Sequence, residues 1–373
     1  MSPADPRRDE ARLIPILEVA ERLGVMNLRA SGAERVGPCP QCGGTDRFSI
    51  NRQLSVFHCR ICGSGGDQID LVQHVLGCSY RDALGFLVGE AVEIDPAARA
   101  RARARAEAAE RKRAEAAERM RGYAISEARA IWRRAQPAAL TWAEAYLEAR
   151  GITFPEGWPP SIRFLPDHPA VKKIGGELVE LHRGPCMISA VQSPERLITA
   201  VHQTWIDPAR PGKKAEIALP DGTPAPAKMV RGSKKGGAIR LTPWRESGFL
   251  VMGEGIETTA SILSGGYLTA ATFWAGVDLG NMGGRQVGRN SGVPLMSDEK
   301  AFVPPPGTRA LIFLQDGDSD PKATRAKLEA GLERARRMIP GLRAGIASAV
   351  PGQDFNDMLR ALKGAPNEGA PND

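Results

Sequence analysis

Beyond Pro243 the chain alternates between two kinds of pattern. Short apolar runs, FLVMG, LTAATFWAG, RALIFLQ and GLRAGIASAV, are each bounded by Gly, Pro or acidic residues. Between and after them stand ETTASILSGG, PKATRAKLEAGLERARRMI and FNDMLRALKG, whose apolar positions recur at helical spacing. Brief apolar runs read as buried strands, and strands alternating with helices predict an α/β fold with a doubly wound, mostly parallel sheet. Upstream, residues 12–24 (RLIPILEVAERLG) predict one short amphipathic helix with a Gly stop, and GGDQIDLVQHVLG and SYRDALGFLVG predict two more. Short Thr/Phe/Ile/Val segments before them suit a small ribbon. Residues 97–121 are almost only Ala, Arg, Glu and Lys without a continuous apolar stripe, which suits a solvated helical spacer.

These shifts predict an N-terminal module over residues 1–95, a charged helical linker over 96–121 and an α+β middle region over 122–246. A doubly wound domain over 247–361 and a disordered tail over 362–373 complete the expected layout. A length of 373 residues suits two or three domains. The 42% hydrophobic and 25% charged residues are ordinary for a globular protein, and no apolar run approaches the ~18 residues needed to cross a bilayer. MSPADPRRDEARL lacks an apolar signal core, so a cytoplasmic protein without a membrane partner is expected. The formal charge of +7 changes the picture more. Residues 163–245 carry 14 Lys and Arg against 7 Asp and Glu, an excess equal to that of the whole chain. A localised excess of this kind predicts a polyanionic partner.

Of six cysteines, four form two C-x-x-C pairs, Cys39/Cys42 and Cys59/Cys62, with sixteen residues between them. Each pair can grip one side of a tetrahedral ion, and the glycines that follow allow the chain to fold back. Four thiolates predict one structural zinc. His58 could compete as a ligand, but the shell is already full. Cys78 and Cys186 read as packed thiols and His74, on an apolar helix, as structural.

Carboxylates stand where strands hand over to helices. Glu254 follows FLVMG, Asp316 and Asp318 follow LIFLQ, and Asp354 and Asp357 follow the last strand. Ligands of open α/β sheets bind beyond the carboxyl ends of the strands. Acids gathered there repel one another unless a divalent cation such as Mg²⁺ or Mn²⁺ neutralises them. Asp320 before Pro321 reads as a helix cap. Glu257 reads either as a first-turn charge or as part of the site.

The order C-P-x-C, Phe48-Ser49, then F-H-C-x-x-C-G-x-G-G-D-x-I-D-L-V resembles the zinc ribbon of bacterial and phage DNA primases, with Cys42 where cellular members commonly have His. The resemblance implies a role in choosing a single-stranded template start, with Arg47, Phe48, Arg52 and Arg60 as contacts. A Glu after one strand and D-x-D after a later one resembles the Toprim domain of primases, topoisomerases and some nucleases. It implies catalytic metal ligands at Glu254, Asp316 and Asp318, loosely joined by Asp354 and Asp357. Many primases have Asp four residues after the Glu, where this chain has Thr258. Together the two modules imply a DNA primase making short RNA primers on single-stranded DNA. Lys213, Lys214, Lys228, Arg231, Lys234 and Lys235 would then meet template or ribonucleoside triphosphates. No GxxxxGK[ST] occurs, so a separate replicative helicase and a phage, plasmid or integrated-element setting are expected. A Toprim nuclease and a non-catalytic single-strand-binding adaptor are the alternatives.

Overall fold

Alternation in the Gly43–Asn51 strand buries Phe48 and Ile50 on one face, which fixes the register of the N-terminal sheet. The computed structural model describes residues 7–89, 96–288, 290–298, 300–317 and 320–364. Its first compact unit ends at Met120 and its second begins at Arg121. In the first, strands Arg29–Ser31, Glu34–Cys39, Gly43–Asn51, Val56–Cys59 and Gly65–Gly66 form an antiparallel meander. Helices Gln68–Leu76 and Tyr80–Val88 close it, each opened by a capping box, Asp67 with Asp70 and Ser79 with Asp82. The single helix expected over residues 12–24 is instead two, Arg7–Leu13 and Ile16–Arg22. Pro15 is the cause, since proline disfavours helical backbone in the residue before it and supplies no N–H to a helix running through.

The second unit opens with the last turns of helix Pro96–Arg134, which bury Ala128 and Trp132 in the core of a five-stranded antiparallel sheet. The strand order there is Lys228–Gly232, Ile198–Trp205, Glu177–Gln192, Ile162–Ile174, Gln136–Pro137. The expected mostly parallel sheet follows, in the order Ile239–Arg240, Thr272–Ala275, Phe249–Gly253, Ala310–Gln315, Arg343–Ser348. Only the short edge strand Ile239–Arg240 is antiparallel. The chain leaves the central strand Phe249–Gly253 toward one side and returns to the other, so the switch in winding falls at its carboxyl end. The two sheets share one core that includes Tyr146, Ile162, Phe164 and Met187 from the first and Val251, Ile256 and Phe273 from the second. Among the described residues no helix is long and apolar enough to cross a membrane. The expected tail is outside the described residues from 365 onward.

A buried charge cluster ties the sheets together. Glu257, in the first turn of helix Ile256–Ser264, is 7% exposed. Tyr146 Oη donates to its Oε1 at 2.8 Å, Lys228 Nζ lies 3.0 Å from the carboxylate and Lys214 Nζ 3.9 Å. Burial alone would raise the carboxyl, but the Lys228 and Lys214 ammonium groups outweigh it and hold it well below the usual carboxylate range. Burial brings Lys214 itself down to about 8 against the pull of Glu257. Replacing Glu257 by Gln leaves two half-buried ammonium groups facing each other and is expected to cost about 2 kcal/mol at pH 7. A depressed carboxyl stabilises above its unfolded pKa and loses that contribution as pH falls through its folded one. The gap between wild type and Glu257→Gln in urea melts should therefore hold from pH 7 down to the ordinary value of 4.5 and shrink below it. Equal stability at pH 7 would contradict this.

Candidate zinc centre and acidic sheet edge

Two strand ends present the cysteines. Cys39 closes Glu34–Cys39 and Cys59 closes Val56–Cys59, and in each C-x-x-C turn the backbone N–H of the second cysteine points at the first sulfur, 3.4 Å in both. Gly43 and Gly63 follow with φ of 64° and 68°, a conformation that side-chain-bearing residues resist. The result brings Cys39 Sγ to 3.7 Å from Cys62 Sγ and Cys42 Sγ to 3.6 Å from Cys59 Sγ, with all four sulfurs within 4.8 Å of one another. Burial pushes the Cys39 thiol up to about 11 and Cys62 further still. Cys59, despite its burial, is drawn down to about 7 by the backbone N–H groups of Cys62 and Ile61. Four sulfurs this close cannot all ionise without a cation between them, and a tetrahedral thiophilic ion meets that need. The donor set fits zinc. His58 is exposed and outside the four-sulfur group, and Cys186 is a buried thiol as expected.

Around this centre Arg52 and Arg60 are exposed and Arg47 is half-buried, while Arg60 lies 3.6 Å from Asp46. Phe48 corrects the sequence-based expectation. It is fully buried against Phe57 and cannot stack on a base, because its strand position faces the core.

The second cluster lies at the carboxyl edge of the parallel sheet. Strands Phe249–Gly253 and Ala310–Gln315 are paired in register at Met252 and Phe313, so Glu254 and Asp316 leave neighbouring strand ends on the same edge. Thr258 Oγ1 donates to Asp316 Oδ2 at 2.9 Å, and the Phe355 N–H lies 3.4 Å from Oδ1. Glu254 is half-buried. Burial, then the charges of Asp278 and Asp316, push its carboxyl up, against a backbone N–H from Leu279. Asp318 lies outside the described residues. Asp320 caps helix Pro321–Met338, accepting from Lys322 and Ala323 N–H at 3.0 and 3.1 Å. Asp354 and Asp357 form the capping box of helix Phe355–Leu362, which engages Asp354 Oδ1 and Asp357 Oδ2 with backbone N–H groups. Among the described residues no three carboxylates come within 4.8 Å of one another, whereas the four cysteines do.

Asp278 was not among the expected acids. It follows the strand Thr272–Ala275, beside Phe249–Gly253, and completes a row of acids on three neighbouring strand ends. The signal was legible as an acid after the apolar run TFWAG. Lys234 Nζ bonds its Oδ2, and the Asn281 N–H donates to its Oδ1 at 2.9 Å. Of the lysines expected as phosphate contacts, Lys214 and Lys228 are thus engaged by the buried Glu257 and Lys234 by the half-buried Asp278. Arg231 is exposed and pairs with Glu127 at 3.0 Å, and Lys213 and Lys235 are exposed.

Comparison with known proteins adds three results. Residues 10–102 match the CHC2 zinc finger of DnaG. Residues 123–241 match a domain of unknown function (DUF7146). No curated protein matches the sequence. Among solved structures, the Aquifex aeolicus primase (zinc binding and RNA polymerase domains) is 16% identical. The match covers 96% of this chain and 82% of that one, with a TM-score of 0.33. A DNA primase domain from Pseudomonas aeruginosa is 13% identical over 64% of this chain and 74% of its own, at 0.34. The primase fragment of the bacteriophage T7 primase-helicase protein is 10% identical over 88% and 94%, at 0.25. The N-terminal module of this chain is a CHC2 zinc finger, the zinc ribbon of DnaG-type primases, built on four cysteines.

Proposed function

We propose that the protein is a DNA primase that synthesises short RNA primers on single-stranded DNA by Mg²⁺- or Mn²⁺-dependent nucleotidyl transfer. The observation that carries this reading is the primase-type zinc ribbon in one chain with a mostly parallel sheet whose switch point bears Glu254 and Asp316. The sheet is read as a Toprim domain, with Asp318 as the third acid. A bound divalent cation would neutralise the incoming triphosphate and the charge that develops as the primer 3′-hydroxyl attacks. Glu254 and Asp316 hold that cation in this reading, and Thr258 orients the Asp316 carboxylate. Arg231, Lys213 and Lys235 give exposed cations for template backbone or triphosphate, and Arg52 and Arg60 do so on the ribbon. The partners are a single-stranded DNA template, ribonucleoside triphosphates and a separate helicase. The setting is the cytoplasmic replication of a phage, plasmid or integrated element.

Incubation with single-stranded template, ribonucleoside triphosphates and Mg²⁺ should yield short RNA. Strand cuts would favour a nuclease, and binding without product would favour an adaptor. Asp316→Ala should lower primer synthesis by about 100-fold or more while leaving DNA affinity intact or stronger. Product at the wild-type rate would remove the acidic edge from the mechanism. Cys59→Ser should lose about one zinc per chain by metal analysis and destabilise the N-terminal unit in thermal melts. An unchanged zinc content would overturn the four-cysteine assignment.

A further inference from the structure

Helix Gln68–Leu76 brings His74 to the edge of the zinc centre without making it a ligand. Its Nε2 lies 3.3 Å from Cys39 Sγ. The ring is clamped by stacking on Phe57, centroids 5.3 Å apart at 28°, and by a near-parallel approach to Phe48 at 6.3 Å and 7°. The four sulfurs close on one another within 4.8 Å and His74 does not belong to that group, so the imidazole stands beside the site.

We propose that His74 is a positioning residue of the zinc centre, donating its Nε2–H to the Cys39 thiolate. A metal-bound thiolate has lone pairs and no proton, so a contact of this length requires the hydrogen on the imidazole nitrogen. The need for such a donor follows from charge. Four thiolates around a dication leave two net negative charges, and Cys39 and Cys59 are 2% and 0% exposed, beyond the reach of solvating water. Protein donors must serve instead. The C-x-x-C turns turn backbone N–H groups toward both sulfurs, those of Gln41 and Cys42 toward Cys39 and those of Ile61 and Cys62 toward Cys59. His74 gives Cys39 a further donor, from a side chain, and through it the helix is held against the Glu34–Cys39 strand. Outer contacts of this kind orient ligands and change metal affinity by ~10–100-fold when removed.

Two variants of the full chain separate this role from packing. His74→Phe keeps a ring between Phe48 and Phe57 but has no donor, and His74→Gln keeps an N–H near the same place. Zinc transfer to a coloured chelator should be ~10-fold faster in His74→Phe and near wild type in His74→Gln. In the cobalt-substituted proteins, losing the N–H raises the energy of the thiolate lone pairs. The sulfur-to-metal charge-transfer band of His74→Phe should therefore move to lower energy, while the d–d bands of a four-sulfur site stay in place. Circular dichroism confirms that each variant is folded before it is compared. Wild-type release and an unmoved charge-transfer band in His74→Phe would overturn the proposal. A shift of the d–d bands would overturn it too, because His74 would then be a ligand.

Discussion

Like charges held close together at one sheet edge are the constraint around which the second unit is organised. Glu254, Asp278 and Asp316 leave three neighbouring strand ends, and the charges of the two aspartates raise the cost of ionising Glu254. The fold answers with oriented dipoles. Helix Ile256–Ser264 begins two residues after Glu254, the Leu279 N–H faces the Glu254 carboxylate, and the Phe355 N–H faces Asp316. Helix N-termini carry partial positive charge, so the edge that gathers acids also gathers the groups that tolerate them. Lys234 neutralises the far end of the row through Asp278. Parallel winding makes this possible, because it turns every strand's carboxyl end and the following helix's amino end to one side.

The two centres solve opposite versions of one problem. In the ribbon, soft donors converge within 4.8 Å, a geometry that closes around a single ion. At the sheet edge the acids stay farther apart, half-exposed and tied to their own scaffold by Thr258 and the capping boxes. An arrangement of that kind leaves room for oxygen donors from outside the protein, which suits hard cations that keep part of their water or take a substrate's phosphate oxygens.

How much of this was legible in the sequence depended on range. The doubled C-x-x-C spacing and the apolar runs ending in acids are local signals, and both fall where the residues placed them. The break at Pro15 was also local, and the helical period of RLIPILEVAERLG masked it. Phe48 was misread because a Phe beside basic residues looks like a base-stacking platform, while strand alternation puts it inward with Ile50. Glu257 stayed ambiguous because its partners are remote: Tyr146 is 111 positions away and Lys228 is 29. No window of sequence reveals such pairings, since they exist only once the two sheets share a core.

Remote pairings also change the positive charge of the middle region. The 14 basic residues of 163–245 suggested a surface for polyanions, yet Lys214 and Lys228 turn inward to Glu257, and Lys234 pairs with Asp278. Their partners come from the parallel sheet, so part of the excess counted over residues 163–245 is cancelled by acids that the count left outside. Lys213, Arg231 and Lys235 are exposed, Arg231 beside Glu127. Pairs partly withdrawn from water are screened less by salt than exposed charges are. Lys214 and Lys228 hold Glu257 in the first turn of helix Ile256–Ser264, the turn that also carries Thr258, the donor to Asp316. Basic residues of one region thus serve the acidic edge of the next by holding its scaffold in place.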